Sequence, residues 1–307
     1  MKKKLFLMAC LAVLGVKVTM AQVAVATLHH NDSVTIFSNA QLQAAINKAV
    51  DGDTIYLSGG LFAAFSVGKN ISIMGSGKST VISGTVTING CSSLLLSNMH
   101  MTGTLQFQSK VTISGTRILQ CVIGDINLNA TSTNTDYSSI EMVMCQVTGT
   151  LNLGHCLKSL QVVNSKINKV SGRGSNNSAA TFVNCNISSL TRSNSGEGNS
   201  YENCIIGSNV SEAALKNCLY KTTSGSPQFT DCWNNTEFSL DGDLNCSLTD
   251  AELKEKGYIG TDGTVVGITG GSMPFTLVSP ILQVTDYTLE PDNVNKKLKV
   301  TLKLGNK

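Results

Sequence analysis

The sequence predicts an all-β chain wound as a parallel β-helix, a single-stranded solenoid of short strands. Three observations carry this. A cysteine-centred motif recurs at a spacing near twenty residues, in FVNCNI at 182–187, YENCII at 201–206, LKNCLY at 215–220 and FTDCWN at 229–234. Related segments precede it: VVNSKI at 162–167, MVMCQV at 142–147, ILQCVI at 118–123 and LSNMHM at 96–101. Each motif is followed by a second short apolar alternation, such as TLQF at 104–107, DINL at 125–128 and TLNL at 150–153. The chain is also rich in Ser, Thr, Asn, Gly, Val and Ile and low in charge, at 14%, a strand-and-turn composition.

From the N-terminus, MKKKLFLMACLAVLGVKVTMAQ has the three-part layout of a secretory signal, with cleavage expected after Ala21. Leu-Met-Ala-Cys, ending at Cys10, superficially resembles a lipoprotein box, but the apolar run continues past it. No later segment is long and apolar enough to predict a transmembrane helix. Removing residues 1–21 takes four lysines and no acid, so the net charge falls from +3 to −1. Such a balance points to neither nucleic acid nor an anionic membrane as partner. Residues 22–250 are expected to form the β-helix with an N-terminal cap, and residues 251–307 a C-terminal cap and β extension.

Next comes SNAQLQAAINKAVDGDTIYLSGGLF, residues 38–62. Leu42, Ile46 and Ala49 recur at helical spacing behind a Ser38/Asn39 cap, Gly52 ends the helix, and Thr54 to Leu57 open a strand. A helix followed by coils resembles right-handed parallel β-helix proteins of the pectin-lyase-like group, in which a short amphipathic helix lids the first coil. The resemblance spans roughly residues 36–250. It implies the right-handed architecture but no single activity, because this fold carries lyases, glycosidases, esterases, adhesins and stalks.

In the coils, the cysteine-equivalent positions are 99, 121, 145, 165, 185, 204, 218 and 232, with spacings that shrink from above 20 to 14. Variable loops on a solenoid tolerate such drift, because each coil contacts only its neighbours. Fourteen residues is short for a three-sided coil, so the last turns should be narrowed. The cysteine, the apolar residue three before it (Phe182, Tyr201, Leu215, Phe229) and the residue two after it (Ile187, Ile206, Tyr220) are expected to face inward. Three plus two breaks strict alternation, and the break falls at Asn164, Asn184, Asn203, Asn217 and Asp231. Asn tolerates a left-handed bend, and its amide is expected to bond the equivalent Asn above and below. Of the nine thiols after the signal, six share one column and none has Cys-x2-Cys spacing; they read as small buried residues and not as metal ligands or a disulfide framework, with an occasional bridge left open at Cys91 or Cys156. No cofactor is implied.

After the coils, LTDAELKEKGYIG at 248–260 predicts a short helix and turn, and two strand-like alternations close the chain.

Catalytic signatures are sparse. A lyase of the resembled group implies several stacked carboxylates plus a basic proton acceptor; Asp125 and Asp136 do not share a column, and Arg173 and Arg192 align without such a cluster. For a glycosidase of that group, Asn134-Thr135-Asp136 and Gly154-His155 echo two family motifs, but no Asp-Asp pair lies between them and Cys156 replaces the following glycine. His155 could serve as a base, although no Gly-x-Ser-x-Gly is present. Trp233, one after Cys232 and on the outward phase, is the best sugar-stacking aromatic. The candidate ligand contacts are therefore Trp233, Arg173, Arg192, Asp136 and His155. The function expected is a secreted, periplasmic or outer-surface bacterial β-helix with a structural or ligand-binding role towards a glycan or cell-envelope protein. A polysaccharide lyase or glycosidase is the alternative.

Overall fold

A computed structural model describes residues 24–129, 134–154, 156–172, 179–191, 199–208, 210, 213–277, 282–292 and 297–306. The chain is an all-β parallel solenoid with a short N-terminal helix. Two 12-stranded sheets run its length, each coil adding one strand to the first sheet and one or two to the second. A narrow third side consists of Thr112–Ser114 paired with Asp136–Ser138 and bridges such as Cys91 to Ile113 and Tyr137 to Leu157.

An antiparallel hairpin, Val25–His30 with Ser33–Ser38, starts the first sheet and pairs onto Thr54–Leu57. The helix Leu42–Lys48 follows a capping box between Ser38 and Gln41, and it buries Leu42, Ala45 and Ile46 against the first coil. That is the lid expected from the sequence, and Ala49 is buried with them.

The inward column of the first sheet runs Ile55, Ile73, Leu96, Ile118, Met142, Val162, Phe182, Tyr201, Leu215, Phe229 in unbroken register. All are buried except Phe229, which is 41% exposed on the last coil. Ile187 and Ile206 are fully buried and Tyr220 half-buried, as the motif predicts. Between the first and second sheets the backbone turns a corner, and from Asn98 onward the residue there is left-handed in each of eight successive coils. Its φ is 54° at Asn98, 52° at Gln120, 53° at Met144, 43° at Asn164, 52° at Asn184, 56° at Asn203, 48° at Asn217 and 51° at Asp231. The bend recurs even where Gln or Met must bear the steric cost of that region, so the coil geometry, not the local residue, imposes it.

The eight cysteine-equivalent residues line the inside of this corner. Directly after the bend, a backbone N–H points along the axis and needs an acceptor. Cys185, Cys204 and Cys218 each donate that N–H to the sulfur one coil on, at 3.4 Å. Cys145 likewise donates its N–H to Ser165 Oγ one coil on, at 3.0 Å. Each thiol in turn donates to a carbonyl, as Cys204 does to Phe182 O at 3.5 Å. All nine cysteines after residue 23 are free thiols. Burial pushes the thiol of Cys145 up to about 12, and those of Cys121, Cys204 and Cys218 well above their ordinary value, which keeps them protonated at neutral pH.

Coils of fourteen residues are possible because the third side collapses after Cys204: there it is a single bridge, Val210 to Thr223. Farther down, the third side is wide enough to bury Tyr137, whose hydroxyl donates to Phe107 O and Gln108 O, each at 3.1 Å.

Beyond Asn234 the chain folds back. Residues 235–277, including the helix Asp250–Glu255 behind its Thr249/Glu252 capping box, lie along the outside of the second sheet, and Gln228, Phe229 and Thr230 at the end of the solenoid stay exposed. This strap explains an outward column that is apolar or buried: Val122, Gln146, Lys166, Asn186, Ile205 and Leu219. Ile205 and Leu219 pack with Phe238, Leu253 and Val266 of the strap as a second small core. Gly267 (φ 89°) comes so close that a Cβ there would lie 2.6 Å from Asn186 Oδ1.

The corner amides also differ from expectation. The ladder between coils is carried by the backbone, as in Asn184 N to Glu202 O at 3.1 Å and Asn203 N to Lys216 O at 3.0 Å. The side chains turn outward to the strap: Asn164 donates to Gly270 O at 2.8 Å, Asn184 to Asp262 Oδ2 at 3.2 Å and Asn217 to Ile259 O at 3.5 Å. Asn203 Oδ1 accepts from Thr261 N at 2.9 Å. A strap carries many backbone groups that need partners, and the corner is the row of polar side chains nearest to it. After the strap, Leu282–Asp292 and Lys297–Asn306 form an antiparallel hairpin.

Candidate functional site

The strap reaches the outer face of the first sheet at Glu202, which accepts from the Thr261 hydroxyl at 2.7 Å. The strands of this sheet place every second residue outward, and the register aligns the position four before each cysteine equivalent: Arg117, Glu141, Gln161, Thr181 and Ser200. The position two before forms a parallel outward row of Leu119, Val143, Val163 and Val183, each half-buried. At the start of these strands lies an open groove of about 580 Å3, lined by Ser139, Ile140, Glu141, Ser159, Leu160, Gln161 and Thr181. Its lining combines the hydroxyls of Ser139, Ser159 and Thr181 and the Gln161 amide with the Glu141 carboxylate and the aliphatic Ile140 and Leu160. Ser159 Oγ accepts from Ser139 N at 2.7 Å, and Ser200 Oγ donates to Thr181 Oγ1 at 3.3 Å.

The acids around this face are tied to bases one coil away. Glu141 accepts from Arg117 Nε at 2.6 Å, Asp136 pairs with Lys158, and Glu202 pairs with Lys216 at 3.1 Å. The Thr261 hydroxyl and Lys216 outweigh desolvation and hold the Glu202 carboxyl below its ordinary value. These are cross-strand pairs of opposite charge, which stabilise neighbouring strands. Among the described residues no group of three His, Cys, Asp or Glu side chains is placed to hold a metal ion.

Of the residues singled out by sequence, Asp136 starts the third-side strand, where one carboxylate oxygen meets Lys158 and the other, Oδ1, is buried without a hydrogen bond. Trp233 is half-buried under the strap, its ring 5.5 Å from that of Tyr258 and tilted by 50°. It belongs to the second core with Ile205 and Leu219, so its outward phase delivers it to protein. Arg173, Arg192 and His155 lie outside the described residues. Asp136 and Trp233 are not brought together. The groove residues Ser139, Ser159, Gln161 and Thr181 were missed by motif reasoning, though a signal existed. Polar residues recur four before the cysteine equivalents on the outward phase, but repetition of small polar residues carries no catalytic signature.

Compared with protein-family models, curated proteins and solved structures, the chain matches none. Among the described residues no helix is long and apolar enough to cross a membrane.

Proposed function

We propose that this protein is an exported β-helix of the pectin-lyase-like kind that binds an extended glycan along the outer face of its first sheet, without cleaving it. The observation that carries the reading is the groove over Ser139, Ser159, Gln161 and Thr181. It repeats neutral hydrogen-bonding side chains at the coil spacing of about 4.8 Å, a periodic surface suited to a linear polymer. The Glu141 carboxylate in the groove and the neighbouring Asp136 and Glu202 are engaged in ion pairs, which balances their charge and favours hydroxyl-rich ligands over uronates. The signal-like leader supports export to the periplasm or outer surface, and N-terminal sequencing of the protein from envelope and medium fractions tests cleavage after Ala21.

The binding test uses a panel of neutral and acidic polysaccharides with the purified protein. Gln161→Ala combined with Thr181→Ala should weaken binding about tenfold or more, on the scale of two net hydrogen bonds. Binding unaffected by the pair, or binding confined to envelope proteins, would overturn the glycan reading. Release of oligosaccharide products would instead support a carbohydrate-active enzyme.

A further inference from the structure

The sulfur column ends where the solenoid ends, and its last pair differs from those below it. Cys185, Cys204 and Cys218 are fully buried, each with a coil on both sides. Cys232 is half-buried, because the terminal strand Gln228–Thr230 has no coil beyond it and all three of its residues are exposed. Only this thiol in the column can be reached by a solute without unwinding the solenoid.

Cys232 is also in contact with its neighbour. Leu219 and Trp233 are register partners, so the cysteines immediately before them lie one strand spacing apart, about 4.8 Å between Cα atoms. That falls within the range of about 4.4–6.8 Å that a disulfide spans. Cys218 N donates to Cys232 Sγ at 3.4 Å, which turns the Cys232 sulfur toward the Cys218 backbone. The Cys232 thiol itself donates to Thr230 O at 3.3 Å. The terminal coil is also the one best able to adjust, because its strands Gln228–Thr230 and Trp233–Asn234 are short and each pairs on one side only. Local opening is easiest at such edges.

We propose that Cys218 and Cys232 are a modification site, oxidised by a small-molecule disulfide to an intrachain disulfide that clips the terminal coil to the one beneath. The deprotonated Cys232 sulfur attacks one sulfur of oxidised glutathione, breaking its S–S bond and expelling one glutathione thiolate. The Cys218 sulfur then attacks Cys232 in the mixed disulfide and expels the second glutathione. Two thiol protons pass to the two glutathione thiolates, the cysteine pair loses two electrons, and oxidised glutathione gains them. The neighbouring Cys218 thiol, together with burial, pushes the Cys232 thiol up, so the exchange is slow, on the order of hours. The site is independent of the glycan-binding reading.

The test incubates the folded full chain with oxidised glutathione, blocks remaining thiols with iodoacetamide under denaturing conditions, and maps tryptic peptides without reduction. The expected product joins the peptide 217–221 to the peptide 222–254, with fragmentation placing the link at Cys232 and not at Cys246. Amide exchange in the terminal coil, read at Asn235, whose N–H donates to Tyr220 O at 3.0 Å, should slow about tenfold or more on oxidation. Cys232→Ser should remove the linked peptide while the protein folds, because serine already fills this column at Ser165. Glutathione found only as a mixed disulfide on Cys232, a link from Cys232 to any other cysteine, or alkylation of both Cys218 and Cys232 after oxidant treatment would overturn the proposal.

Discussion

Replacing Asn203 separates the two roles of the corner residue. Asn203 is 2% exposed and left-handed at φ 56°. Its Oδ1 accepts from Thr261 N at 2.9 Å, and its Nδ2 donates to Thr261 Oγ1 at 3.3 Å. Its backbone meanwhile bonds Lys216 O on the next coil and Gly267 N on the strap. Asn203→Ala loses both side-chain bonds and strands the Thr261 N–H, which costs about 1–3 kcal/mol. Holding Ala in the left-handed region adds about 1–2 kcal/mol, for a total of roughly 2–5 kcal/mol. Asn203→Gly loses the same bonds but occupies that region freely, at an entropic cost of about 0.5–1 kcal/mol. The glycine variant should therefore be more stable than the alanine variant by about 1 kcal/mol. Urea unfolding followed by far-UV circular dichroism reads the stability, and hydrogen exchange at Thr261 reads the strap contact. Exchange at Thr261 should accelerate equally in both variants. An alanine variant as stable as the glycine variant would show that the corner imposes no left-handed strain. Unchanged Thr261 exchange would show that the strap does not depend on Asn203.

The sulfur column yields a second comparison: Cys204→Ser should cost little, because Ser165 performs the same double hydrogen bond, whereas Cys204→Val should lose about 1–3 kcal/mol by stranding the Cys185 N–H. Equal losses in the two variants by chemical denaturation would refute a hydrogen-bonding role for the thiols. A third prediction concerns acid. Burial alone pushes the Asp53 carboxyl up, but the Val50 N–H, His30 and Lys69 outweigh it and hold the group below its ordinary value. Because the folded carboxyl titrates below the unfolded one, its stabilisation is complete above about pH 4 and is lost as pH falls through the folded value. Melting temperatures measured from neutral pH down to pH 3 should drop less for Asp53→Asn than for the wild type, and parallel curves would remove Asp53 from the acid response.

Much of the architecture was legible because a solenoid repeats its constraints. Eight occurrences of one motif exposed the column of small inward residues and located the bend at the residue before it. The helix over Leu42 and Ile46 and the helix after Thr249 were equally readable, because caps and apolar spacing are local signals. The same periodicity hid the groove: Gln161, Thr181 and Ser200 look like ordinary outward residues of a strand, and only lateral register sets them side by side.

The sequence by itself determined which residues face the inside of each coil, because alternation, the interrupting Asn and the coil spacing are properties of the chain read in order. Tertiary structure alone decided what covers the outside. Trp233, Ile205 and Leu219 share an outward phase with exposed residues elsewhere, yet they are packed under residues 235–277. The corner amides, expected to bond one another, serve the strap instead. The physical reason is that a strand's pattern records only the two faces of its own sheet, whereas a returning segment satisfies its backbone with whichever polar side chains lie along its path. That pairing joins residues far apart in the chain, such as Asn164 and Gly270, and no local period encodes it.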